Sequence, residues 1–270
     1  KSHDAKLLAV RKVTQDNKGR KPAGVDGIKS LNPKERLEFL TRLKFPTKSN
    51  PVRRVWIPKS GKSEKRPLGI PTIKDRCLQA LFKLALEPEW EAKFEPNSYG
   101  FRPGRNAHDA IVAIQSCIQK RSKFVFDADI SKCFDKINHD ALLNIIGLKG
   151  KYRKQLQYWL EAGVLDSGTF EATNEGTPQG GVLRPLLSNI AFHGLENHLK
   201  DCIKQIPVYS SSGKKVRPCR AHETLDVIRY ADDFVVLHDN PNVIIHCKNE
   251  TRKFLSKRGL ELSDAKTRIT

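Results

Sequence analysis

The 270-residue sequence has no methionine, no CxxC pair and no uninterrupted apolar run of 18 residues. Each absence excludes something. Without such a run there is no candidate spanning helix, and no signal peptide opens the chain, so no membrane partner is expected. The cysteines, Cys77, Cys117, Cys133, Cys202, Cys219 and Cys247, are scattered and carry no zinc-finger spacing. That scatter disfavours a disulfide framework and fits a reducing cytoplasm. The missing methionine, initiator included, suggests a fragment or processed form. There is no internal repeat and no low-complexity segment.

What the sequence does have is positive charge. Lys and Arg outnumber Asp and Glu by 49 to 30, for a formal charge of +19. A surface this basic calls for a polyanion. The excess is uneven, with a net +13 in residues 1–110 and +6 in residues 111–270. The N-terminal part is therefore the expected phosphate-facing lobe. With 38% hydrophobic residues, the chain can bury the core of one large domain or two lobes.

Residues 1–50 read as mainly helical around a Gly-containing break at 23–30. VRRVWIP (52–58) and RPLGIP (66–71) read as a hairpin around a basic tip, 59–66. Thr72 and Asp75 suggest a capping box opening a helix with Ile73, Cys77, Leu78, Leu81, Phe82 and Ala85 inward. SYGFRPGR (98–105) is a loop, and Asn106 with Asp109 caps a helix to about residue 120. KFVFDADI (123–130) is a strand with Asp127 and Asp129 on one face. Helices follow at about 139–148 and 151–162. Thr177 and Pro178 are the expected start of one helix running to about Leu199. Residues 207–223 read as loop, 225–237 as a hairpin and 241–258 as an amphipathic helix. Helices packed on an antiparallel sheet make an α+β fold.

The hairpin holds IRYADDFVV, two adjacent acids between apolar strand residues. Such a pair is either a turn or a metal site at a hairpin tip. A third acid, Asp129, ends the strand about a hundred residues earlier. If the two strands are neighbours, Asp129 meets Asp232 and Asp233. Three clustered carboxylates repel one another, and a cation relieves that repulsion. Two Mg²⁺ ions in such a cluster suit phosphoryl or nucleotidyl transfer.

FDADISKCFDKINHDAL, GTPQGGVLRPLLSNI and IRYADDFVVL, in that order, resemble the motifs of reverse transcriptases. RPLGIPTIKDR and SYGFRPGRNAHDAI narrow the resemblance to the group II intron-encoded type, or maturases. AGVDGIKS and GLELSDAKTRIT agree, so the resemblance spans nearly the whole chain. It implies right-hand polymerase fingers over residues 1–122 and palm over 123–270, with fingers elements recurring at about 140–175. The thumb and later domains would lie beyond Thr270. It implies RNA-directed DNA synthesis with two Mg²⁺, or Mn²⁺, held by Asp129, Asp232, Asp233 and the Ile130 carbonyl. Phe134 would be the gate against a 2′-hydroxyl. Gln179, Lys59, Arg66 and Lys266 would contact the deoxynucleoside triphosphate, Lys266 as acid for the pyrophosphate. Arg53, Arg54, Lys62, Lys65, Arg102 and Arg105 are candidate RNA contacts, with loop bracing the equal alternative for Arg102 and Arg105. The implied partners are group II intron RNA, an RNA template with DNA primer, and dNTP. The implied location is a bacterial cytoplasm, near the nucleoid, or an organelle. Arg184 and Ser188 stand where the family usually has Ser and Ala. Three alternatives remain at this stage: a non-catalytic splicing maturase, an RNA-dependent RNA polymerase, against which Phe134 argues, and a reverse transcriptase recruited to another system such as CRISPR.

Overall fold

The computed structural model describes residues 2–270 apart from Lys18, Arg20, Pro46, Lys59, Ser60, Lys62, Glu64, Lys120, Lys132, 177–179 and 210–212, and apart from the side chains of Cys133 and Phe134. Its helices are α1 (His3–Arg11), α2 (Pro33–Arg42), α3 (Ile73–Glu91), α4 (Ala107–Ile118), α5 (Cys133–Lys136), α6 (His139–Ile146), α7 (Gly150–Leu160), α8 (Arg184–Phe192), α9 (Leu195–Cys202), α10 (Pro218–Ala221) and α11 (Pro241–Ser256). The strands are β1 (Val52–Pro58), β2 (Lys65–Ile70), β3 (Phe124–Asp129), β4 (Val164–Asp166), β5 (Thr169–Glu171), β6 (Asp226–Tyr230), β7 (Asp233–His238) and β8 (Arg268–Ile269). The chain divides into two compact units, each built from two segments. Unit 1 is Lys1–Trp90 with Phe134–Leu187, and unit 2 is Glu91–Cys133 with Ser188–Thr270.

Unit 1 carries a sheet ordered β2-β1-β4-β5. The β1–β2 hairpin pairs antiparallel as its alternation predicts, with Ile57 opposite Arg66 and Pro58 opposite Lys65. β4 joins β1 in parallel, with Val52 opposite Val164, and β5 folds back on β4. These two three-residue strands lie inside a stretch that gives no strand signal. Behind them, Phe82 and Trp159 meet edge to face with ring centroids 5.4 Å apart, and Phe45 packs on both. The Trp159 Nε1–H donates to the buried Asp75 carboxylate at 3.3 Å. Asp75 is only half of a capping box. Its backbone N–H donates to Thr72 Oγ1 at 3.1 Å, but its carboxylate accepts the Thr72 hydroxyl rather than a backbone N–H. Burial pushes the Asp75 carboxyl above its usual range.

Unit 2 carries an antiparallel sheet ordered β6-β7-β3-β8. One face is Phe126, Ala128, Phe234 and Val236, all buried, with α11 packed against β3 and β7. Phe126 and Phe234 meet edge to face at 5.8 Å. The other face holds Val125, Val235, Leu237 and Ile228, covered by Ala110 and Ile114 of α4. A full capping box opens α4, with Asn106 accepting from the Asp109 N–H and Asp109 accepting from the Asn106 N–H.

The expected single helix from Thr177 to Leu199 is not present. Gly180 has φ +94°, which no helix permits, and α8 begins only at Arg184. A turn at His193–Gly194, with Gly194 at φ 92°, then separates α8 from α9.

Candidate active site

Strand pairing brings the three acids together at one end of the unit 2 sheet. Asp129, the last residue of β3, is directly opposite Asp233, the first residue of β7. Residues paired this way project from the same face. Asp232 precedes Asp233 in the two-residue turn after Tyr230, itself paired with Asp233. Asp127 shares the Asp129 face one repeat earlier, opposite Arg268 of β8. The acids thus occupy the face that α4 covers only at its other end.

The electrostatics are those of a site short of positive charge. Partial burial pushes the Asp233 carboxyl up, and the charges of Asp232 and Asp129 push it further, against the opposing pull of Lys266. Lys266 donates from Nζ to Asp129 Oδ2 at 2.9 Å, and that hydrogen bond raises its own proton affinity. Lys266 is placed by a turn in which the Lys266 and Thr267 N–H groups donate to the Ser263 carbonyl and the Ser263 N–H to the Asp129 carbonyl. The three acids do not present oxygens that all lie within 4.8 Å of one another, and Asp129 is turned to Lys266. Ile130 forms an isolated bridge with Leu262, whose bonds run through the Asp129 carbonyl and the Ser131 N–H, not through the Ile130 carbonyl.

A polar scaffold beneath the turn was not foreseen from sequence. Ala231 sits at φ 57°, the left-handed conformation a two-residue hairpin turn demands. Its carbonyl accepts from Arg229 Nη1 at 3.0 Å. The same buried guanidinium donates to Asn189 Oδ1 at 3.1 Å and, through Nη2, to Ser98 Oγ at 2.6 Å. Asn189 in turn donates to the Gly100 carbonyl at 2.8 Å. Gly100 lies so close that a Cβ there would be 2.3 Å from the Ala231 nitrogen. Three distant segments, SYG, LSN and RYA, therefore hold the acid-bearing turn. Arg229→Lys keeps the charge but loses the planar fork that serves three acceptors. It is expected to cost about 1–3 kcal/mol, the penalty for an orphaned buried polar group, read as a lower denaturant midpoint.

The remaining predicted contacts fall out differently. Lys59, Lys62 and Gln179 lie outside the described residues, as does the side chain of Phe134. Arg66 and Lys65 are exposed on β2. Arg53 Nε donates to the Ala23 carbonyl at 2.8 Å. Arg54 is paired with Glu171 at 2.7 Å and Asp166 at 3.8 Å, which takes up its charge inside unit 1. Arg102 has the contacts of a loop brace, the alternative raised for it from sequence. Its side chain is 4% exposed and is bonded to the Glu91 carboxylate and the carbonyls of Glu95 and Ser98. Arg105 donates to the Pro96 carbonyl and lies 5.3 Å from the centroid of the Tyr99 ring. In unit 1, Gly180 touches β2 so closely that a Cβ there would meet the Gly69 carbonyl at 2.0 Å. His139 Nε2 lies 2.6 Å from the Gly176 carbonyl, tying down the segment that leads into 177–179. No helix among the described residues is long and apolar enough to cross a membrane.

Comparison with known proteins agrees with this geometry. Residues 57–270 match the family described as reverse transcriptase (RNA-dependent DNA polymerase), and residues 1–43 match the N-terminal domain of reverse transcriptase. The chain is 34% identical to Protein YkfC of Escherichia coli, over 86% of this chain and 67% of that one. It is also 34% identical to the group II intron-encoded protein LtrA of Lactococcus lactis, over 82% of this chain and only 44% of LtrA's length. In fold it is similar to apo telomerase from Candida tropicalis, with a TM-score of 0.58 at 14% identity, covering 83% of this chain and 51% of that one. An α+β chain with antiparallel pairing of its acid-bearing strands, matched by this family over most of its length, belongs to the reverse transcriptases of the group II intron-encoded type.

Proposed function

We propose that this chain carries the fingers and palm of an RNA-directed DNA polymerase that extends a primer 3′-hydroxyl with deoxynucleoside triphosphates on an RNA template. The observation that carries the reading is Asp129 opposite Asp233, with Asp232 beside them, at the open end of a sheet in this family. Residues 1–122 are read as mainly fingers and 123–270 as mainly palm, with fingers elements recurring at about 140–175; by compactness, residues 91–122 group with the palm segment and 134–187 with unit 1.

Asp129, Asp232 and Asp233 would hold two Mg²⁺, with the Ile130 carbonyl a further ligand. The donor set is hard oxygen, as Mg²⁺ prefers, and the acids are short of compensating charge. When bound, such an ion pair stabilises the attacking and leaving oxygens of an in-line displacement. The chain's own groups orient and exchange protons. Lys266 keeps its proton while paired with Asp129 and is suited to give it to departing pyrophosphate. Lys59 and Arg66 would grip the triphosphate, ammonium and guanidinium being natural phosphate partners. Phe134 would exclude a 2′-hydroxyl and Gln179 would touch the nucleotide, as the family resemblance implies.

The intron-encoded nature of LtrA supports intron RNA as a second partner. The excess charge of residues 1–110 supports RNA on unit 1. RNA affinity is then expected to fall steeply between low and moderate salt, because several phosphate contacts release counterions. A binding constant flat across that range, measured by filter binding, contradicts it.

The test of activity is primer extension on an RNA template with Mg²⁺, using the full encoded chain and its Asp232→Ala/Asp233→Ala variant. Deoxynucleotides and ribonucleotides go in separate reactions. Extension by deoxynucleotides alone, lost in the variant, supports the reading. A folded protein that binds intron RNA and extends nothing would make it a splicing scaffold.

A further inference from the structure

We propose that His198, Cys202 and Glu250 form a second metal site, selective for a divalent transition metal of the zinc class and separate from the acids on the sheet. His198 and Cys202 are four residues apart on α9 and so share one face of the helix. Glu250 comes from α11, which packs beside α9. Cys202 Sγ is 3.6 Å from His198 Nε2 and 3.6 Å from Glu250 Oε2, and those last two atoms are 3.7 Å apart. Zinc bond lengths in a tetrahedral arrangement give ligand–ligand edges of about 3.4–3.6 Å. The three atoms match those edges in length, and because Cys202 Sγ also lies 4.0 Å from His198 Nδ1, a rotation of the imidazole ring is what would aim Nε2 at the shared position. Among the described residues this is the one trio of potential ligands within 4.8 Å of one another.

The surroundings orient the ligands, while burial and Glu250 push the Cys202 thiol up to about 11, so that the ion itself must displace its proton. Lys253 donates to Glu250 Oε1 at 2.7 Å, which leaves Oε2 turned toward His198 and Cys202. Such outer contacts orient a ligating carboxylate. The His198 ring rests against Phe254, centroids 5.3 Å apart. The His198 side chain is 30% exposed, so solvent can supply a fourth ligand. Thiolate with imidazole selects zinc, cobalt or nickel over magnesium, whereas the acids at the sheet end are all hard oxygen. The sequence shows no CxxC, and the sulfur here pairs instead with a histidine one helical turn away. Binding exchanges the Cys202 thiol proton, now directed at Glu250, for the ion. Because α11 also packs on β3 and β7, the ion would clamp α9 to the helix behind the acid-bearing strands.

The test is cobalt and zinc titration of the full chain in a thiol-free reductant. One Co²⁺ per chain is expected with tetrahedral visible bands and a thiolate charge-transfer band, both absent from Cys202→Ser and Glu250→Gln and retained in Cys219→Ser. Zn²⁺ should raise Tm in the native chain and in Cys219→Ser, and Mg²⁺ should not reproduce that rise in Asp232→Asn/Asp233→Asn. A cobalt spectrum without thiolate character overturns the proposal, and so does one that survives in Cys202→Ser. Glu250→Gln is nearly isosteric, so a native-like circular dichroism spectrum with no thiolate band separates lost ligation from lost fold. Equal Zn²⁺ shifts in the native chain and both site variants would assign the trio to ordinary hydrogen bonding.

Discussion

Asp233→Asn is expected to abolish primer extension, by at least about a hundredfold to a thousandfold, while leaving the metal-free protein no less stable than the native one. The loss is on the scale set by removing one preorganised electrostatic group from a reacting centre. The stability result follows from the charge. Partial burial and the neighbouring acids hold the folded carboxyl above its ordinary value of 3.8, so the folded state binds that proton more tightly than the unfolded chain does. Such a group favours folding in acid, and its contribution is lost as pH rises through the folded pKa. At neutral pH the native chain therefore carries a repelled anion that Asn does not. In EDTA, the Tm of the variant should equal or exceed that of the native chain at neutral pH, and the difference should shrink as pH falls toward 3.8. Added Mg²⁺ should reverse the order by stabilising only the native chain. A variant less stable than native in EDTA at neutral pH would mean that Asp233 is a structural partner instead.

Gly100→Ala should be nearly as damaging, although Gly100 carries no functional group. Its Cβ would lie 2.3 Å from the Ala231 nitrogen and 2.9 Å from the Ala231 Cα. Backbone on both sides cannot yield as a flexible side chain would. Overpacking of this kind costs about 1–3 kcal/mol, so the denaturant midpoint should fall. The larger effect is on activity. A displacement of about 1 Å at a positioned group can cost about a hundredfold, and Asp232 follows Ala231 directly. Extension should therefore fall much further than the folded fraction does. Loss of activity strictly parallel to loss of fold would show that Gly100 supports the core and not the turn.

What could be read beforehand was whatever is encoded by local period or by short-range chemistry. The β1–β2 hairpin and the Asn106–Asp109 cap rest on alternation or on residues a few positions apart, whereas the Asp129–Asp233 pairing, across about a hundred residues, was legible only as a condition and through the family resemblance. The break at His193–Gly194 was hidden because Leu195 and Leu199 continue the apolar rhythm of α8, and both are buried. β4 and β5 are too short to show a period, and only pairing with β1 makes them strands. From sequence, Arg102 could equally be an RNA contact or a loop brace. Glu91 and two carbonyls consume its donors, and those contacts exist only after folding. The Arg229–Asn189–Gly100 scaffold joins residues up to 131 positions apart when Ser98 is included, a distance no local rule spans.

The interleaving of the two units along the chain sets the timetable of folding. The second segment of unit 1 is not complete until residue 187 has been made, and that of unit 2, which starts at Ser188, not until residue 270. β3, a central strand, waits through a hundred residues of synthesis for β7, and then for β8 at the far end. Loop closure over such spans is slow compared with helix formation. On the ribosome, β3 would emerge before either of the strands that pair with its edges. A nascent chain would therefore hold Asp129 long before Asp232 and Asp233, and the three acids would come together only once the YADD hairpin is made.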